Sequence, residues 1–330
     1  MPMSPGPIIS IITPVYNCAG YLRETLESVR QQDYPAIEHI VINDGSTDAS
    51  LPILKTYAES QNVRLVDQPN RGEIAAINSG AELATGKYLM VVNADDPILP
   101  GLVSRAIEKL ESNPELAVVY PDWHCIDAEG VLLSRVRVRD YDYQLMLEQS
   151  FCLPGPGAAI RRAALGGEPL RDARFRYKSD FHLFLRLGMR HRMARLPGYF
   201  ATWRDHSAGA TFRQGTSRRM AEEQEGVIAD IFARPDLPSE LRRWQRLAYS
   251  VSSYLAAMVA MYTTEVPGRR LLARSFALAP VWPSRFDPDR RRSLSRIAYV
   301  LGMPVSRWLE LNAIRFAVIT PRPAVRDRNP

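Results

Sequence analysis

The sequence predicts an α/β protein whose central sheet is mostly parallel, and three observations support this fold class. Short β-branched runs alternate with amphipathic helical patterns over the first hundred residues. The hydrophobic share of 46% and the charged share of 24% are those of an ordinary folded protein. Clusters of Asn, Asp, Gly and Ser directly follow two of the apolar runs. Strand–helix alternation of this kind builds a parallel sheet covered by helices on both faces.

The predicted elements of the first half follow one another in a regular order. Four strands are predicted at Ile8 to Thr13, Ile37 to Ile42, Val63 to Val66 and Tyr88 to Val92. The predicted helices span Tyr21 to Gln31, Leu51 to Glu59, Ile74 to Ala84 and Leu102 to Leu110. Ligands of open parallel sheets bind beyond the carboxyl ends of the strands, so polar residues at those ends are candidate site residues.

The second half of the chain has a different character. The pattern predicts strands at Ala117 to Tyr120 and Ala158 to Ile160, a hairpin turn at Glu129-Gly130 and a helix from Ser179 to Arg190. After about Thr211 the sequence becomes rich in Arg, Ala and Leu, interrupted by prolines. We therefore predict an α/β domain over residues 1–210 and a helical C-terminal region over residues 211–330.

Positive charge is concentrated at the end of the chain. The formal net charge is +6, but residues 265–330 alone carry 13 arginines, no lysine and 5 acidic residues. Arg290, Arg291 and Arg292 occur near Trp282, Phe286, Trp308 and Phe316. Mixed Arg and aromatic residues suit peripheral contact with anionic lipid headgroups, and the alternative is a solvated face of the helical region. No recognition motif accompanies the charge, so we expect no nucleic-acid partner.

The cysteines and the hydropathy of the sequence indicate the cellular compartment of the protein. Cys18, Cys125 and Cys152 are widely spaced, form no metal or redox motif, and fit a reduced cytoplasmic compartment. The first seven residues lack a secretory pattern. The uncharged stretch Leu247 to Thr264 is about as long as the shortest spanning helix, but its serines, threonines and tyrosines indicate a buried or interfacial helix. We expect a cytoplasmic protein, at most peripheral at the inner face of the membrane.

Two adjacent carboxylates, Asp95 and Asp96, follow the fourth predicted strand. Adjacent carboxylates repel each other, and a cation beside them relieves that repulsion. Mg²⁺ and Mn²⁺ prefer oxygen ligands, and Mg²⁺ commonly takes one or two carboxylates together with substrate phosphates. The alternative is a solvated turn or a helix N-cap, since Pro97 and Pro100 follow. Both interpretations remain open from this pair alone.

Three further side chains are candidates for binding a nucleotide. Asp44 follows the second strand, where a carboxylate can accept hydrogen bonds from a base N–H or a ribose hydroxyl. Tyr16 follows the first strand and offers a ring against which a base can stack. Arg71 follows the third strand and can meet a phosphate. Each has a structural alternative, namely a strand-to-helix turn, a buried or edge tyrosine and an exposed arginine.

Taken together, these segments resemble the family 2 inverting glycosyltransferases. The resemblance rests on the order and spacing of the segments Thr13 to Asn17, Gln31 to Pro35, Asn43 to Asp48, Asn70 to Gly72, Asn78 to Gly80, Ala84 to Gly86 and Asn93 to Asp96. It covers about residues 8–208 and implies the nucleotide-diphospho-sugar transferase fold called GT-A. It also implies transfer of a sugar from a nucleotide-sugar donor, with UDP favoured, to an acceptor hydroxyl. The expected setting is cell-envelope or exopolysaccharide synthesis, with a glycan or lipid-linked acceptor.

The resemblance implies a role for each matching donor-side residue. Tyr16 lies against the base, Asp44 binds the base or ribose, and Asp95 contacts the ribose or the metal. Asp96 is the direct ligand of a divalent metal, Mg or Mn, beneath the diphosphate. The remaining residues implied in the nucleotide-sugar site are Pro14, Asn17, Arg71 and Asn78.

Two later segments extend the resemblance. Ser179 to Leu187 resembles the acidic motif that leads into a helix, which implies that Asp180 is the catalytic base. The segment departs from the usual pattern, with Ser179 where an acid is common and Phe184 where Trp is frequent. Arg204-Asp205-His206 resembles a late Arg-x-His element, which implies that His206 helps to hold the metal or the diphosphate; the alternative is a structural histidine. We expect Asp44, the Asp95-Asp96 pair and Asp180 to converge on one pocket.

Other classes of protein make different demands on the sequence. A nucleotide-sugar binding protein or assembly partner without turnover would keep Tyr16 and Asp44 but would not need Asp180. A nucleotidyltransferase would place a glycine-rich phosphate loop with a basic residue after the first strand, where this chain has Pro14-Val15-Tyr16-Asn17. A dinucleotide-dependent oxidoreductase would place GxGxxG there, and none is present.

Overall fold

The computed structural model describes residues 6–61, 63–206, 216–263 and 268–280. The chain forms two compact units. The first takes residues 1–141, 153–173 and 190–206, and the second takes residues 142–152, 174–189 and 207–330. The boundary near residue 210 stays a prediction, because residues 207–215 lie outside the described part of the chain. The second unit also takes two segments from the first 210 residues.

The first unit is built on one mixed sheet. Its strands are β1 (Ile9–Val15), β2 (Ile37–Asp44), β3 (Val63–Gln68), β4 (Tyr88–Val91), β5 (Leu116–Ile126), β6 (Leu132–Val136), β7 (Ala159–Arg161) and β8 (Arg192–Arg204). They lie in the order β3-β2-β1-β4-β7-β5-β6, with β8 along the other side of β5. Strands β1 to β4 pair in parallel, so their carboxyl ends lie at one edge of the sheet.

The parallel half matches the sequence prediction because its inner strands are largely buried on both faces, whereas the edge strand β3 exposes Arg64 and Asp67. Every residue of β1 is buried. The helices α1 (Ala19–Arg30), α2 (Ser50–Ser60), α3 (Glu73–Leu83) and α4 (Leu102–Ser112) cover the sheet. Helix α1 buries Leu22, Thr25, Leu26 and Val29, which is the spacing of one helical face. The four predicted strands and four predicted helices of this half are confirmed.

The other half of the sheet is mixed and contains one strand that the sequence pattern did not predict. Strand β7 runs antiparallel to both β4 and β5, and β5 and β6 form the hairpin predicted at Glu129-Gly130. Strand β8 pairs in parallel with β5 over 13 residues and was missed. Its pairing register shifts where Pro197 and Gly198 are inserted, and such a bulge breaks the period-two pattern by which strands are found.

The second unit is helical. Its helices are α5 (Tyr143–Gln149), α6 (Ser179–Gly188), α7 (Thr216–Ala233), α8 (Gln245–Thr263) and α9 (Gly268–Leu278). Helix α8 packs on α9 through an apolar cluster that includes Val251, Tyr254 and Leu272, and Oγ of Ser250 donates to the carbonyl of Ser275 at 2.7 Å. The stretch beginning at Leu247 therefore forms a packed helix.

Two expectations about membranes have different outcomes. Across the residues that the structure describes, none of the helices has the length and hydropathy needed to cross a bilayer. The basic and aromatic residues from Trp282 to Phe316 lie outside the described residues. Lipid contact through the C-terminal region therefore stays a prediction.

Candidate active site

The carboxyl edge of the parallel strands gathers most of the predicted site residues within the first unit. Pro14 is buried in β1, and Tyr16 follows that strand with 45% of its surface exposed. Asp44 is the last residue of β2, and the Asp95-Asp96 pair follows β4. Because β2, β1 and β4 are neighbours in the sheet, the topology brings these residues to one edge.

Asn17 joins the loops that follow β1 and β2. Its φ is 50°, a left-handed conformation that Asn tolerates better than most residues. Its Oδ1 accepts hydrogen bonds from the backbone N–H groups of Thr47 at 2.7 Å and Asp48 at 3.3 Å. Asp48 in turn accepts from the N–H groups of Ala19 and Ser50, the first residues of α1 and α2. The side chain of Asn17 therefore holds the shape of this edge.

Asp44 has a structural role that its sequence context did not indicate. It is 2% exposed, and its Oδ1 accepts from Nε2 of Gln68 at 2.8 Å and the N–H of Arg71 at 2.9 Å. Its Oδ2 accepts from the N–H of Gly72 at 2.7 Å. Gly72 has φ 88°, which only glycine adopts at low cost. The carboxylate thus fixes the turn between β3 and α3, while the side chain of Arg71 remains exposed.

Asn78 is also engaged with the protein backbone. Its Nδ2 donates to the carbonyl of Arg171 at 2.8 Å, and its Oδ1 accepts from the N–H of Arg171 at 2.9 Å. This reciprocal pair ties α3 to a loop 93 residues later in the chain. The amide of Asn78 therefore positions that loop.

The two adjacent aspartates have different surroundings. Asp96 is 6% exposed; its Oδ1 accepts from the N–H of Arg204 at 2.8 Å, and its Oδ2 accepts from Nδ2 of Asn93 at 3.0 Å. Burial, followed by the charge of Asp95, raises the pKa of Asp96 well above its ordinary value. The side chain of Asp95 is 26% exposed, and its Oδ2 lies 2.9 Å from Nε2 of His206. Asp95 is therefore the more accessible carboxylate of the pair.

Arg204, the last residue of β8, holds this region together. Its Nε donates to the carbonyl of Asp95 at 2.9 Å, and its Nη1 donates to the carbonyls of Asp127 and Ala128 at 3.1 Å. Its Nη2 pairs with Glu24 of α1 at 2.5 Å. The sequence drew attention to this arginine only through the late Arg-x-His element, and its function in joining α1, β4 and the β5–β6 turn was missed.

The neighbouring thiol does not provide a nucleophile. Cys18 begins the turn into α1. Burial, with a further contribution from the charge of Asp95, raises the pKa of Cys18 to about 12. The thiolate is the nucleophilic form, so Cys18 is unreactive at neutral pH.

A divalent cation is compatible with the donor set at this edge. Across residues 6–61, 63–206, 216–263 and 268–280, no group of three or more His, Cys, Asp or Glu side chains is arranged to hold a metal. Asp95 and His206 nevertheless supply one carboxylate and one imidazole within 2.9 Å of each other. A cation that completes its coordination with substrate phosphates and water needs no more protein ligands than that.

Asp180 belongs to the second unit. It lies in the first turn of α6, is half-buried, and its Oδ1 accepts from the N–H of Phe181 at 2.7 Å. The helix begins at Ser179, as the sequence predicted. The convergence of Asp180 with Asp44 and the Asp95-Asp96 pair stays a prediction.

Comparison with known proteins gives a consistent picture. The model of the family described as "Glycosyl transferase family 2" matches residues 10–166. An uncharacterized glycosyltransferase, YibD, of Escherichia coli is 43% identical over 117 residues, which are 35% of this chain and 34% of the relative. A chondroitin synthase of Escherichia coli is 36% identical over 129 residues, 39% of this chain and 19% of the relative. The chain thus matches only about a third or less of the length of these two relatives.

Solved structures share the fold over most of the chain. TarS residues 1–349 of S. aureus, solved in complex with UDP-GlcNAc, has a TM-score of 0.66 and 15% identity, over 96% of this chain and 93% of TarS. A mannosyltransferase of Pyrobaculum calidifontis, solved with GDP-Man and Mn²⁺, has a TM-score of 0.55 and 19% identity, over 92% of this chain and 91% of that protein. The predicted GT-A fold, with a mostly parallel central sheet and C-terminal helices, is confirmed.

Proposed function

We propose that this chain, whose residues 10–166 match the model of glycosyltransferase family 2, transfers a sugar from a nucleotide-sugar donor to an acceptor hydroxyl. The observation that carries the proposal is the carboxyl edge of the sheet, where exposed Tyr16 and the Asp95-His206 pair lie beside loops held by internal hydrogen bonds. A preformed edge of this kind binds ligand without first ordering its loops.

The donor binds along this edge. Tyr16 stacks on the base, because its ring is exposed and the residues on either side are fixed by β1 and the Asn17 loop. The exposed guanidinium of Arg71 meets a phosphate. Pro14, Asn17, Asp44 and Asn78 shape the donor site through the loops that they hold. UDP is the proposed nucleotide, supported by the shared fold of TarS, which was solved in complex with UDP-GlcNAc.

The residues proposed to hold the divalent cation are Asp95 and His206. The family resemblance assigns Asp96 as the direct ligand, but both oxygens of Asp96 already accept hydrogen bonds and its surroundings are buried. Asp95 is more exposed and its Oδ2 lies beside Nε2 of His206. When bound, Mg²⁺ or Mn²⁺ would supply positive charge that stabilises the leaving diphosphate. The proposed role of Asp96 is to set the position and charge of its neighbour.

The proposed reaction is a single displacement with inversion at the anomeric carbon. The acceptor oxygen bonds to that carbon as the bond from the carbon to the diphosphate oxygen breaks. The hydroxyl proton passes to the carboxylate of Asp180, and the bonding electrons leave with the nucleoside diphosphate. The pKa of Cys18 disfavours a covalent thiol intermediate.

The proposed acceptor is a glycan or lipid-linked glycan of cell-envelope or exopolysaccharide synthesis. Relatives named chondroitin synthase and hyaluronan synthase support a polysaccharide product. None of Cys18, Cys125 and Cys152, all within the described residues, forms a disulfide, which supports a reduced cytoplasmic setting with any membrane contact peripheral.

A two-step experiment tests this function. Thermal unfolding with a panel of UDP-, GDP- and dTDP-sugars, each with Mn²⁺ or EDTA, identifies a donor by metal-dependent stabilisation. Release of nucleoside diphosphate is then measured for that donor with candidate glycan acceptors. Stabilisation together with product release supports the proposal. Stabilisation without release from any acceptor would favour a nucleotide-sugar binding protein, and absence of both would contradict the donor site.

A further inference from the structure

Helix α7 presents a line of three residues to the segment that leads into α6. Glu223, Gly226 and Asp230 are three and four residues apart and therefore share one face of the helix. Each of them approaches residues 174–182, and α6 begins within that range. All of these residues belong to the second unit.

Glu223 caps the amino-terminal end of α6 from a distance in the chain. Its Oε2 accepts from the N–H groups of Tyr177 at 2.6 Å and Lys178 at 3.0 Å. Lys178 is the N-cap residue of α6, and no side chain of the N-cap itself makes a capping hydrogen bond. A carboxylate at a helix amino terminus satisfies N–H groups and opposes the positive end of the helix dipole. Glu223 thus satisfies the N–H groups of the N-cap residue and of the residue before it.

Asp230 contacts one residue before and one residue after the N-cap of α6. Its Oδ2 lies 2.9 Å from Nε2 of His182, whose side chain is 1% exposed, and its Oδ1 lies 2.7 Å from Nη1 of Arg174. Burial by itself raises the pKa of Asp230, but the hydrogen bonds from His182 and Arg174 outweigh it, so the pKa is lowered. The ionised carboxylate therefore joins residues before and within the first turn of α6.

Gly226 lies between these two residues on α7 and allows the ring of Phe175 to approach the helix closely. A Cβ at this position would lie 3.2 Å from Cε1 of Phe175, which is tighter than most such contacts. Phe175 is 6% exposed, and its ring centre lies 4.8 Å from that of His182. The segment is thus held by two carboxylates and by an aromatic ring packed against bare backbone.

We propose that Glu223 and Asp230 are positioning residues for Asp180, because together they fix the turn of α6 from which that carboxylate acts. The inference rests on the base role proposed for Asp180. The orientation of a base enters the proton-transfer step and leaves the ground-state affinity for the donor unchanged. Loss of either carboxylate therefore lowers kcat and spares KM for the donor.

The same helix offers a matched control. Glu225 lies two residues after Glu223 and faces away from α6, since its Oε1 accepts from Oγ of Ser253 at 2.6 Å and its Oε2 pairs with Nη1 of Arg274 at 3.1 Å. Its carboxylate thus joins α7 to α8 and α9. Glu225→Gln therefore removes a partly buried carboxylate from α7 and leaves the contacts with residues 174–182 unchanged.

The test compares Glu223→Gln, Asp230→Asn and Glu225→Gln in the full chain, with Asp180→Asn as reference. Turnover is measured with the nucleotide sugar that the wild-type protein uses fastest, and UDP binding is measured by calorimetry. We expect kcat to fall about 10- to 100-fold in the first two variants, as for a misplaced catalytic group, with KM for the donor within about twofold. Glu225→Gln should keep the wild-type kcat. Hydrogen–deuterium exchange should become faster in residues 174–182 for Glu223→Gln and Asp230→Asn alone.

The outcomes separate this inference from the proposed function. Wild-type kcat in Glu223→Gln and Asp230→Asn, with Asp180→Asn inactive, would overturn the positioning role and leave the base role standing. An equal loss of kcat in Glu225→Gln would show that α7 acts only through stability, which also overturns the inference. Normal turnover in Asp180→Asn would remove both roles. Unchanged exchange of residues 174–182 in both variants contradicts the inference whatever the turnover.

Discussion

The backbone N–H of Arg204 donates to Oδ1 of Asp96 across 2.8 Å, although the two residues lie 108 positions apart in the chain. The contact joins the end of β8 to the loop after β4, and it leaves Asp96 buried while Asp95 remains partly exposed. Two neighbouring aspartates of equal chemical character therefore have different surroundings. This edge of the sheet and Asp180 lead to four predictions.

The first prediction concerns the pH dependence of stability and Asp96. The pKa of Asp96 is raised in the folded protein, whereas an aspartate in an unfolded chain has a pKa of about 4. Between those two values the folded protein holds this proton more tightly, so the contribution of Asp96 to the free energy of unfolding falls as pH rises. In Asp96→Asn this decline should be absent. The melting temperature without divalent metal, measured from about pH 4 to about pH 8, compares the two proteins.

The matched control for that experiment is Asp140→Asn. Asp140 is an exposed aspartate of the first unit, so its replacement should leave the decline caused by Asp96 in place. Identical pH profiles for wild-type and Asp96→Asn would show that the burial of Asp96 does not shift its titration.

The second prediction concerns metal-dependent nucleotide binding. Asp95→Asn and His206→Gln each remove a donor atom from the proposed cation site, so UDP affinity in Mn²⁺ should fall at least about 10-fold. In EDTA the variants and the wild-type protein should bind UDP alike. Calorimetry under both conditions makes the comparison, with Asp205→Asn as the adjacent control. Equal UDP affinity of the wild-type protein and the three variants in Mn²⁺ would contradict the proposed cation site.

The third prediction concerns the turn between β3 and α3. Asp44→Ala removes the acceptor for Gln68 and for the N–H groups of Arg71 and Gly72. Leaving such groups without a partner should lower the free energy of unfolding by about 3 kcal/mol. Urea denaturation measures the loss, and replacing the exposed Glu115 by Ala should cost less than about 1 kcal/mol. A loss in Asp44→Ala no greater than that in Glu115→Ala would show that the turn does not depend on the Asp44 carboxylate.

The fourth prediction concerns Asp180. Its replacement in Asp180→Asn removes the proposed proton acceptor, so transfer should fall by about 10²- to 10⁴-fold, the usual contribution of a general base. UDP binding should be unchanged, since the proposed role lies in the acceptor's proton transfer. A turnover assay and UDP calorimetry on the same preparation test both halves. Wild-type turnover would exclude Asp180 as the base.

The parallel half of the sheet could be predicted from the sequence because its signals are local. The fourth strand, predicted at Tyr88 to Val92, occurs at Tyr88–Val91, and the helix predicted at Ile74 to Ala84 occurs at Glu73–Leu83. Each strand is a short apolar run closed by turn residues, and each helix has a single buried face. The candidate residues after β1, β2 and β4 followed from that pattern.

Strand β8 could not be predicted in the same way because its stability comes from distant partners. Arg195, within the strand, donates from Nε to Oδ1 of Asp122 at 2.7 Å, and this aspartate lies 73 residues earlier. An arginine in a buried strand is acceptable only with such a partner, which no local pattern reveals.

The different surroundings of Asp95 and Asp96 could not be predicted for the same reason. The two side chains are identical in the sequence. They differ in the structure because Asp96 accepts from the N–H of Arg204, whereas Asp95 contacts His206. The hydrogen bonds of Asp44 and Asn78 to backbone groups are likewise long-range. Sequence reasoning therefore predicted which residues meet at this edge of the sheet but could not assign their hydrogen-bond partners.

The position of Arg204 in the chain also limits which segment can be transferred into another protein. The family match stops at residue 166, whereas the guanidinium that joins Asp95, Asp127 and Glu24 comes from a strand beyond it. A chimera that exchanged only the matched segment would transplant the aspartate pair without the strand that orients it. Exchange points for chimeras between relatives therefore belong beyond His206.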